Sequence, residues 1–437
     1  MTNVFRLRAC VCCCFSVAVA LTASGGVHAF PSQQQLPEGG RDLRDAPPAA
    51  HGVAAVAEFA LAGYDSPPPL AATALNYYVS PAGVDTASGS PTAPFKTLAH
   101  AALVVAGKAA AINAAGTRQG ITVWVAPGTY EGGFKTSASG EAAPAARIYY
   151  VSTTKWGARI VPPAAGASNS AWSNRGNYVS IVGFEVDGSK RDARTAWRYG
   201  LYSGGSHTRF HGNKVHHIAN HVPCTSVGGS AIGIDSYYRG VKGEVTDNVV
   251  HDIGQAGCRF TQGIYISTSA SVKNNIVYRV AAAGIHLWHD ANDVVVTNNT
   301  VSWSTHGIVV GGGDFYWRTI GADDIRVHRN VLHNNVYGIS EVGKTGCDNV
   351  YKDNVAYKNK RNWSLKSCVT HTSATNTRQP SARRLRQPGA PDHHARNRGS
   401  PSAAPLPPVA VQSAAKMDAG AHTLSTSVTV PPQANKQ

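Results

Sequence analysis

Between residues 177 and 359 two short phrases keep returning, and their recurrence limits the fold more than any other feature of the chain. One is an Asn followed by a β-forming run: Asn213-Lys214-Val215, Asn248-Val249-Val250, Asn275-Ile276-Val277, Asn299-Thr300-Val301, Asn330-Val331-Leu332 and Asn354-Val355-Ala356. The other is a Gly followed by an aliphatic: Gly200-Leu201, Gly233-Ile234, Gly263-Ile264, Gly284-Ile285, Gly307-Ile308 and Gly338-Ile339. The Asn positions are 35, 27, 24, 31 and 24 residues apart. Uneven units of this length mark a solenoid. Each coil needs neighbours to bury its aliphatics. A stacked Asn can bond its amide to the Asn above and below. The Leu pattern is too thin for a leucine-rich repeat, and the units are too short for propeller blades. The expected class is all-β, a parallel β-helix. The 44 glycines and the low charged content of 15% suit such a strand-and-turn fold.

The chain's ends read differently. Residues 1–29 have the form of a secretory signal peptide: Arg6 and Arg8, an apolar run over 9–23, then small residues at Val27 and Ala29. The run is short for a membrane span. Residues 30–75 are rich in Pro, Ala, Gly and Gln and are expected to be a flexible linker or pro-segment. The β-helix is expected over 76–369, and 370–437 as a disordered, basic, Pro-rich tail. Eight Lys and Arg against two Asp lie in 377–437, so the body is less basic than the formal charge of +15. A moderately basic exported protein suits a polyanionic partner. An acidic polysaccharide is expected, not nucleic acid. No stable membrane insertion is expected, the compartment is secreted or periplasmic, and the working state is a monomer. Cys224, Cys258, Cys347 and Cys368 remain after signal removal, and near neighbours pair most easily in stacked coils. Cys224–Cys258 and Cys347–Cys368 are the expected disulfides.

Three stretches near the start of the ordered region are informative. They are Tyr77-Tyr78-Val79-Ser80-Pro81-x-Gly83-x-Asp85, Pro94-Phe95-x-Thr97-Leu98 and Val125-Ala126-Pro127-Gly128-Thr129-Tyr130. Together they resemble the opening module of secreted right-handed parallel β-helix proteins of the pectate-lyase-like superfamily. The resemblance spans about residues 76–365. It implies a right-handed coil and a short N-terminal capping helix, which the apolar spacing over 95–115 supports. A cap makes physical sense, because an unpaired terminal coil is an aggregation edge.

Departures from the repeat suggest a site. After each phrase Gly an aliphatic must face inward, so the next residue faces outward. That column reads Tyr202, Asp235, Tyr265, His286, Val309 and Ser340; two residues on it reads Gly204, Tyr237, Ser267, Trp288, Gly311 and Val342. Coils lie about 4.8 Å apart, so Asp235, Tyr265 and His286 are expected on neighbouring coils, flanked by Tyr237 and Trp288. Beside them lie His289 and Asp290, and a loop with three glycines before Asp314. Structural roles compete: a loop can cover the aromatics, and His286 can bond that loop. Asp290 and Asp293 can serve as turn formers.

A uronan lyase must neutralise a carboxylate, remove the C5 proton and assist the leaving oxygen. Tyr265, His286, His289 and Asp235 are the catalytic candidates. Tyr237, Trp288, Asp290 and Asp314 are the candidate substrate contacts. The resemblance to pectate lyases implies Ca²⁺ with a Lys or Arg base, and family-nine members use an aspartate cluster and a lysine. No Asp-Asp-x-x-Asp sits near an outward Lys here, so the metal is unassigned: no cofactor is certain, and Ca²⁺ stays open. The Tyr/His arrangement of several lyases of acidic polysaccharides fits Tyr265 and His286 better. A hydrolase would need an Asp cluster, for which Asp235, Asp290 and Asp314 are the candidates. The expected function is an exported carbohydrate-active β-helix, a lyase on a uronate-containing polysaccharide. A non-catalytic glycan- or surface-binding module and a glycoside hydrolase are the alternatives.

Overall fold

A computed structural model describes residues 74–165, 168–189 and 196–366, and the backbone of 371–372. The expected signal peptide, nearly all of the linker and of the tail, and Cys368 lie outside the described residues.

Each full coil contributes three short strands, and each strand pairs in parallel with its counterpart one coil on. Arg209–His211, Lys214–His216 and Gly229–Ile234 form one such coil; Gly243–Thr246, Val249–Ile253 and Thr261–Ile266 form the next. Three parallel sheets result, of 11, 9 and 9 strands. We number them by the order of visit within a coil: sheet 1 holds Arg209–His211, sheet 2 Lys214–His216 and sheet 3 Gly229–Ile234. The coil is right-handed, as parallel crossovers are. This is the parallel β-helix that the repeat predicts. Among the described residues no helix is long and apolar enough to cross a membrane.

Strand alternation fills the interior. On sheet 3, Ile232, Ile234, Ile264, Ile266, Ile285 and Leu287 belong to the central core and are essentially inaccessible. Burying each such side chain stabilises the fold by about 1.5–3 kcal/mol.

The repeating Asn performs the expected stacking. Asn248 Oδ1 accepts from both the backbone N (2.9 Å) and Nδ2 (3.1 Å) of Asn213. Asn275, Asn299, Asn330 and Asn354 continue the same two-bond pattern. Each Nδ2 also donates to a backbone carbonyl of sheet 1, as Asn248 does to Phe210 at 2.9 Å. The residue before each ladder Asn has positive φ, from 56° at Asn298 to 65° at Gly212, which makes the turn between sheets 1 and 2 tight. A truncated ladder Asn would strand buried backbone donors, at about 1–3 kcal/mol each.

The one α-helix among the described residues, Leu98–Ala114, starts later than the apolar spacing suggests. Thr97 is its N-cap, accepting from His100 N at 3.1 Å. Asp85 fixes the approach, taking Lys96 N, Thr97 N and Thr97 Oγ1 at 2.8–2.9 Å. Leu98, Ala101, Ala102, Val105 and Ala109 face the core. The helix packs on Leu75–Val79, Ile121–Val125 and Phe134–Thr136, the first strands of sheets 1 and 3. The Cys224–Cys258 disulfide is present, joining the same turn of successive coils across a Cα–Cα distance of 5.6 Å. At the far end His371–Thr372 pairs with Val350–Lys352.

Candidate functional site

Sheet 3 brings most of the singled-out residues together, with one change of register. Ile232 pairs with Ile264, and Gly233 with Tyr265. Tyr265 pairs with His286, and His286 with Val309. The column is therefore Tyr202, Gly233, Tyr265, His286, Val309 and Ser340. Asp235 is not in it. It lies two residues further on, following Ile234 as Ser267 follows Ile266 and Trp288 follows Leu287. The reason is a doubled small–aliphatic phrase: Ala231-Ile232, not Gly233-Ile234, stands in register with Gly263-Ile264. Tyr237 accordingly leaves the Trp288 column and sits in the loop after the strand, 38% exposed.

Asp235 still meets the strip through hydrogen bonds. Its Oδ2 accepts from Tyr202 Oη at 2.6 Å, and its Oδ1 accepts from Ser267 Oγ at 2.7 Å and Tyr237 N at 3.1 Å. This carboxylate is a fixed acceptor that ties three coils together.

Tyr265, His286 and Trp288 point away from the core, as alternation requires, and the left-handed backbone at His289 (φ 48°) belongs to the turn that sets its ring beside Tyr265, but solvent does not reach any of them. They are 4%, 0%, 1% and 1% exposed. The segment 313–319 packs against His289, with the Tyr316 ring 4.0 Å from its imidazole, and Gly311 and Gly343 pack against the Trp288 ring. Asp290, itself buried, holds that segment: its carboxylate accepts from the backbone N of Tyr316 (3.2 Å), Trp317 (3.3 Å) and Arg318 (3.1 Å), and from Ser236 Oγ (2.9 Å). Trp317 Nε1 donates to Ser236 O at 2.7 Å. The glycines before Asp314 serve packing: a Cβ on Gly311 would meet the Trp288 ring at 2.7 Å. Asp314 is exposed, has φ 45°, and contributes its carbonyl rather than its carboxylate to the strip.

Burial sets the protonation states. It pushes the His286 imidazole down to about 3, with His306 and His289 adding to the effect. It lowers His306 to about 4. It also lowers His289, against the opposing pull of Asp235. Burial, then Tyr316 and Asp235, raises the Tyr265 phenol well above its usual range. All four groups are neutral at neutral pH. Among the described residues ten buried side-chain polar atoms lack a hydrogen-bond partner. Four of them crowd this one region: Tyr265 Oη, His286 Nε2, Trp288 Nε1 and His306 Nε2. Native interiors hold few such atoms.

The hydrogen-bonded phenol–imidazole pair is Tyr316–His289. His289 Nδ1 donates to Asp314 O at 2.8 Å, and Tyr316 Oη donates to His289 Nε2 at 2.6 Å. Tyr265 and His286 meet edge to face, with ring centroids 5.4 Å apart. Tyr316 reaches partial exposure beside a depression of about 660 Å³ lined by 312–319, Gly343 and Lys344. Around it Trp317 is 52% exposed and Tyr238 38% exposed. Arg239 stacks on Trp317 at 3.9 Å, and Lys344 lies 5.7 Å from the Phe315 ring.

Two of these residues are not candidates on sequence grounds, although Tyr316 belongs to the glycine loop that the sequence marks beside the strip. His306 precedes its phrase Gly, in the column Tyr199, Ser230, Gln262, Ala283, His306 and Tyr337. Period-two alternation from the inward Ile308 assigns this position to the inner face, so the overlay misses it, yet His306 Nδ1 bonds Ser340 Oγ of the outward column at 3.0 Å. Tyr316 sits in a loop outside the repeat, and no periodicity reaches it.

No family model matches the chain, and no curated protein matches it. Solved structures do. Pectate lyase Pel9A aligns over 69% of this chain and 74% of its own, with 18% identity and a TM-score of 0.50. XylC in complex with xylose aligns over 67% and 70%, at 11% identity and TM-score 0.43. The A-module of the mannuronan C-5 epimerase AlgE4 of Azotobacter vinelandii aligns over 58% and 73%, at 17% identity and TM-score 0.38. The chain shares the right-handed parallel β-helix fold with pectate lyase Pel9A. At these identities the likeness speaks to fold and leaves activity to the site.

Proposed function

We propose that this protein is an exported carbohydrate-active enzyme, a lyase acting on a uronate-containing polysaccharide, and that Tyr316 and His289 carry the proton transfers. The observation that carries the reading is the 2.6 Å phenol–imidazole bond at the edge of a depression ringed by aromatic and cationic side chains. Aromatic faces stack on sugar rings, and Arg239, Arg318 and Lys344 offer charge to a uronate carboxylate. Burial raises the Tyr316 phenol and lowers the His289 imidazole, so the pair rests as a protonated phenol beside a neutral acceptor. In the elimination, Tyr316 passes its proton to His289 as its oxygen takes the C5 proton. The C5–H electron pair becomes the C4–C5 double bond. The bond from C4 to the glycosidic oxygen breaks, that oxygen leaves with a proton from the phenol, and His289 returns its proton to the resulting phenolate. Asp235, Tyr265 and His286 position this pair from below, and Trp288 supports their floor.

A non-catalytic glycan-binding module is the second reading. It is favoured by the sealing of the strip through the three amides on Asp290. Pectate, alginate and glycosaminoglycans offered to purified protein separate the two. The lyase reading expects unsaturated uronate product, followed by ultraviolet absorbance, from at least one polymer. Binding to a polymer without product from any of them would support the module instead.

A further inference from the structure

Sheet 2 carries a second titratable constellation, independent of the strip. Asp187 ends the strand Glu185–Asp187, and His216 stands opposite it one coil on, at the end of Lys214–His216. His217 follows with a left-handed backbone, φ 56°. In an extended chain its ring would point away from that of His216. Here the two Nδ1 atoms lie 2.7 Å apart. Asp187 Oδ1 is 3.5 Å from His216 Nδ1. One ligand atom from each residue lies within 4.8 Å of the others, a grouping of His, Cys, Asp or Glu not repeated among the described residues.

The surrounding bonds fix what these atoms offer. Glu185 Oε1 takes the N–H of His216 Nε2 at 3.0 Å, so His216 Nδ1 is the acceptor and His217 Nδ1 the donor of the 2.7 Å bond, and a metal on both nitrogens requires His217 to move its proton to Nε2. Arg159 occupies Asp187 Oδ2. Ser189 N donates to Oδ1 at 2.8 Å, and that oxygen keeps a further lone pair. A carboxylate behind the imidazole is the support that metal-ligating histidines carry.

We infer that Asp187, His216 and His217 form a binding site for a divalent transition metal of the zinc type. Two imidazole nitrogens and one carboxylate oxygen are a zinc donor set. Calcium takes about 6–8 oxygens, which this cluster does not supply. Bonds of about 2.0–2.1 Å in a tetrahedron place ligand atoms about 3.3 Å apart. The 2.7 Å pair would open and the 3.5 Å pair close slightly, within reach of side-chain rotation. Three protein ligands leave one position for water or a ligand hydroxyl.

The test is titration of metal-free, full-chain protein with Zn²⁺ by calorimetry, and with Co²⁺ by visible absorption. The expected result is one Zn²⁺ per chain at this site and ligand-field bands with Co²⁺. His217→Ala and Asp187→Asn should each weaken Zn²⁺ by about 100-fold, and Glu185→Gln by about 10–100-fold, with circular dichroism unchanged. Asp187→Asn keeps the side-chain shape and carries the test if His217→Ala does not fold. His393 and His394 form a competing pair in the C-terminal segment, so a His393→Ala/His394→Ala variant runs alongside and should bind as the parent does. Absence of Zn²⁺ binding, binding that survives His217→Ala and Asp187→Asn, or loss confined to the His393→Ala/His394→Ala variant would overturn the site.

Discussion

Sheets 2 and 3 both stack imidazoles on the outer side of the coil, with carboxylate partners on one and none on the other. On sheet 2, His216 and His251 lie ring on ring at 4.8 Å, and Tyr278 continues the stack at 5.0 Å. Each histidine there has its own carboxylate: Glu185 at 3.0 Å for His216 and Asp252 at 2.7 Å for His251. On sheet 3, His286 has no such partner, is fully buried and is pushed down to about 3. The backbone geometry is the same in both places. The difference lies in what the turns deliver: carboxylates beside the rings on sheet 2, and a segment packed against His289 on sheet 3. A regular solenoid thus supplies columns, and its irregular turns decide whether a column becomes a carboxylate-paired ladder or a neutral strip without partners.

The contrast can be broken chemically. The largest expected effect is acid sensitivity from sheet 3. His286 and His306 have folded-state values of about 3 and about 4, below the ordinary imidazole value. The unfolded chain therefore binds protons that the native state refuses, and stability falls as pH drops from about 6.5 towards those values. Each such histidine contributes about 1.4 kcal/mol per pH unit in that window. His286→Phe, which retains a ring but cannot titrate, should flatten the denaturant midpoint between pH 6.5 and 4 relative to the parent. An unchanged slope would mean that His286 is not sealed.

Releasing the segment 313–319 should come next. Asp290→Ala deletes the acceptor of three successive amides at 3.1–3.3 Å, with an expected loss of about 2 kcal/mol. In NMR, His286 should then titrate closer to the ordinary imidazole value, and the amides of 316–318 should exchange faster. The smallest effect belongs to sheet 2. Asp252→Asn weakens a partly exposed carboxylate that holds Arg279 at 2.5 and 2.6 Å, and should lower stability by about 1 kcal/mol in denaturant melts. A larger loss there than at Asp290 would reverse the ranking of the two faces.

Much of the fold was legible, because a stacked coil writes its period into the chain. The Asn ladder, the inward aliphatics and the Cys224–Cys258 pairing all follow from position within the repeat. The site was legible only where it stayed in phase. His286 and Trp288 lie on the outward positions that the repeat assigns them. Asp235 was placed one strand step too early, because Ala231 stands in for the expected Gly and two aliphatics follow in alternation. Tyr316 lies in a loop fixed by long-range bonds to His289 and Asp290, which no spacing rule reports. The burial of the strip is equally non-local: outward-facing was readable from alternation, whereas buried or open depended on contacts such as those of residues 313–319 with His289 and of Gly311 and Gly343 with Trp288.

The working phenol we propose is Tyr316, joined to His289, rather than Tyr265, which meets His286 edge to face. Turnover of the Tyr316→Phe and Tyr265→Phe variants, measured side by side as unsaturated product on the polymer that the parent cleaves, tests it most directly. The account predicts a loss of about 100-fold or more for Tyr316→Phe, with polymer binding retained, and less than about tenfold for Tyr265→Phe. Full activity in Tyr316→Phe together with collapse in Tyr265→Phe would contradict it.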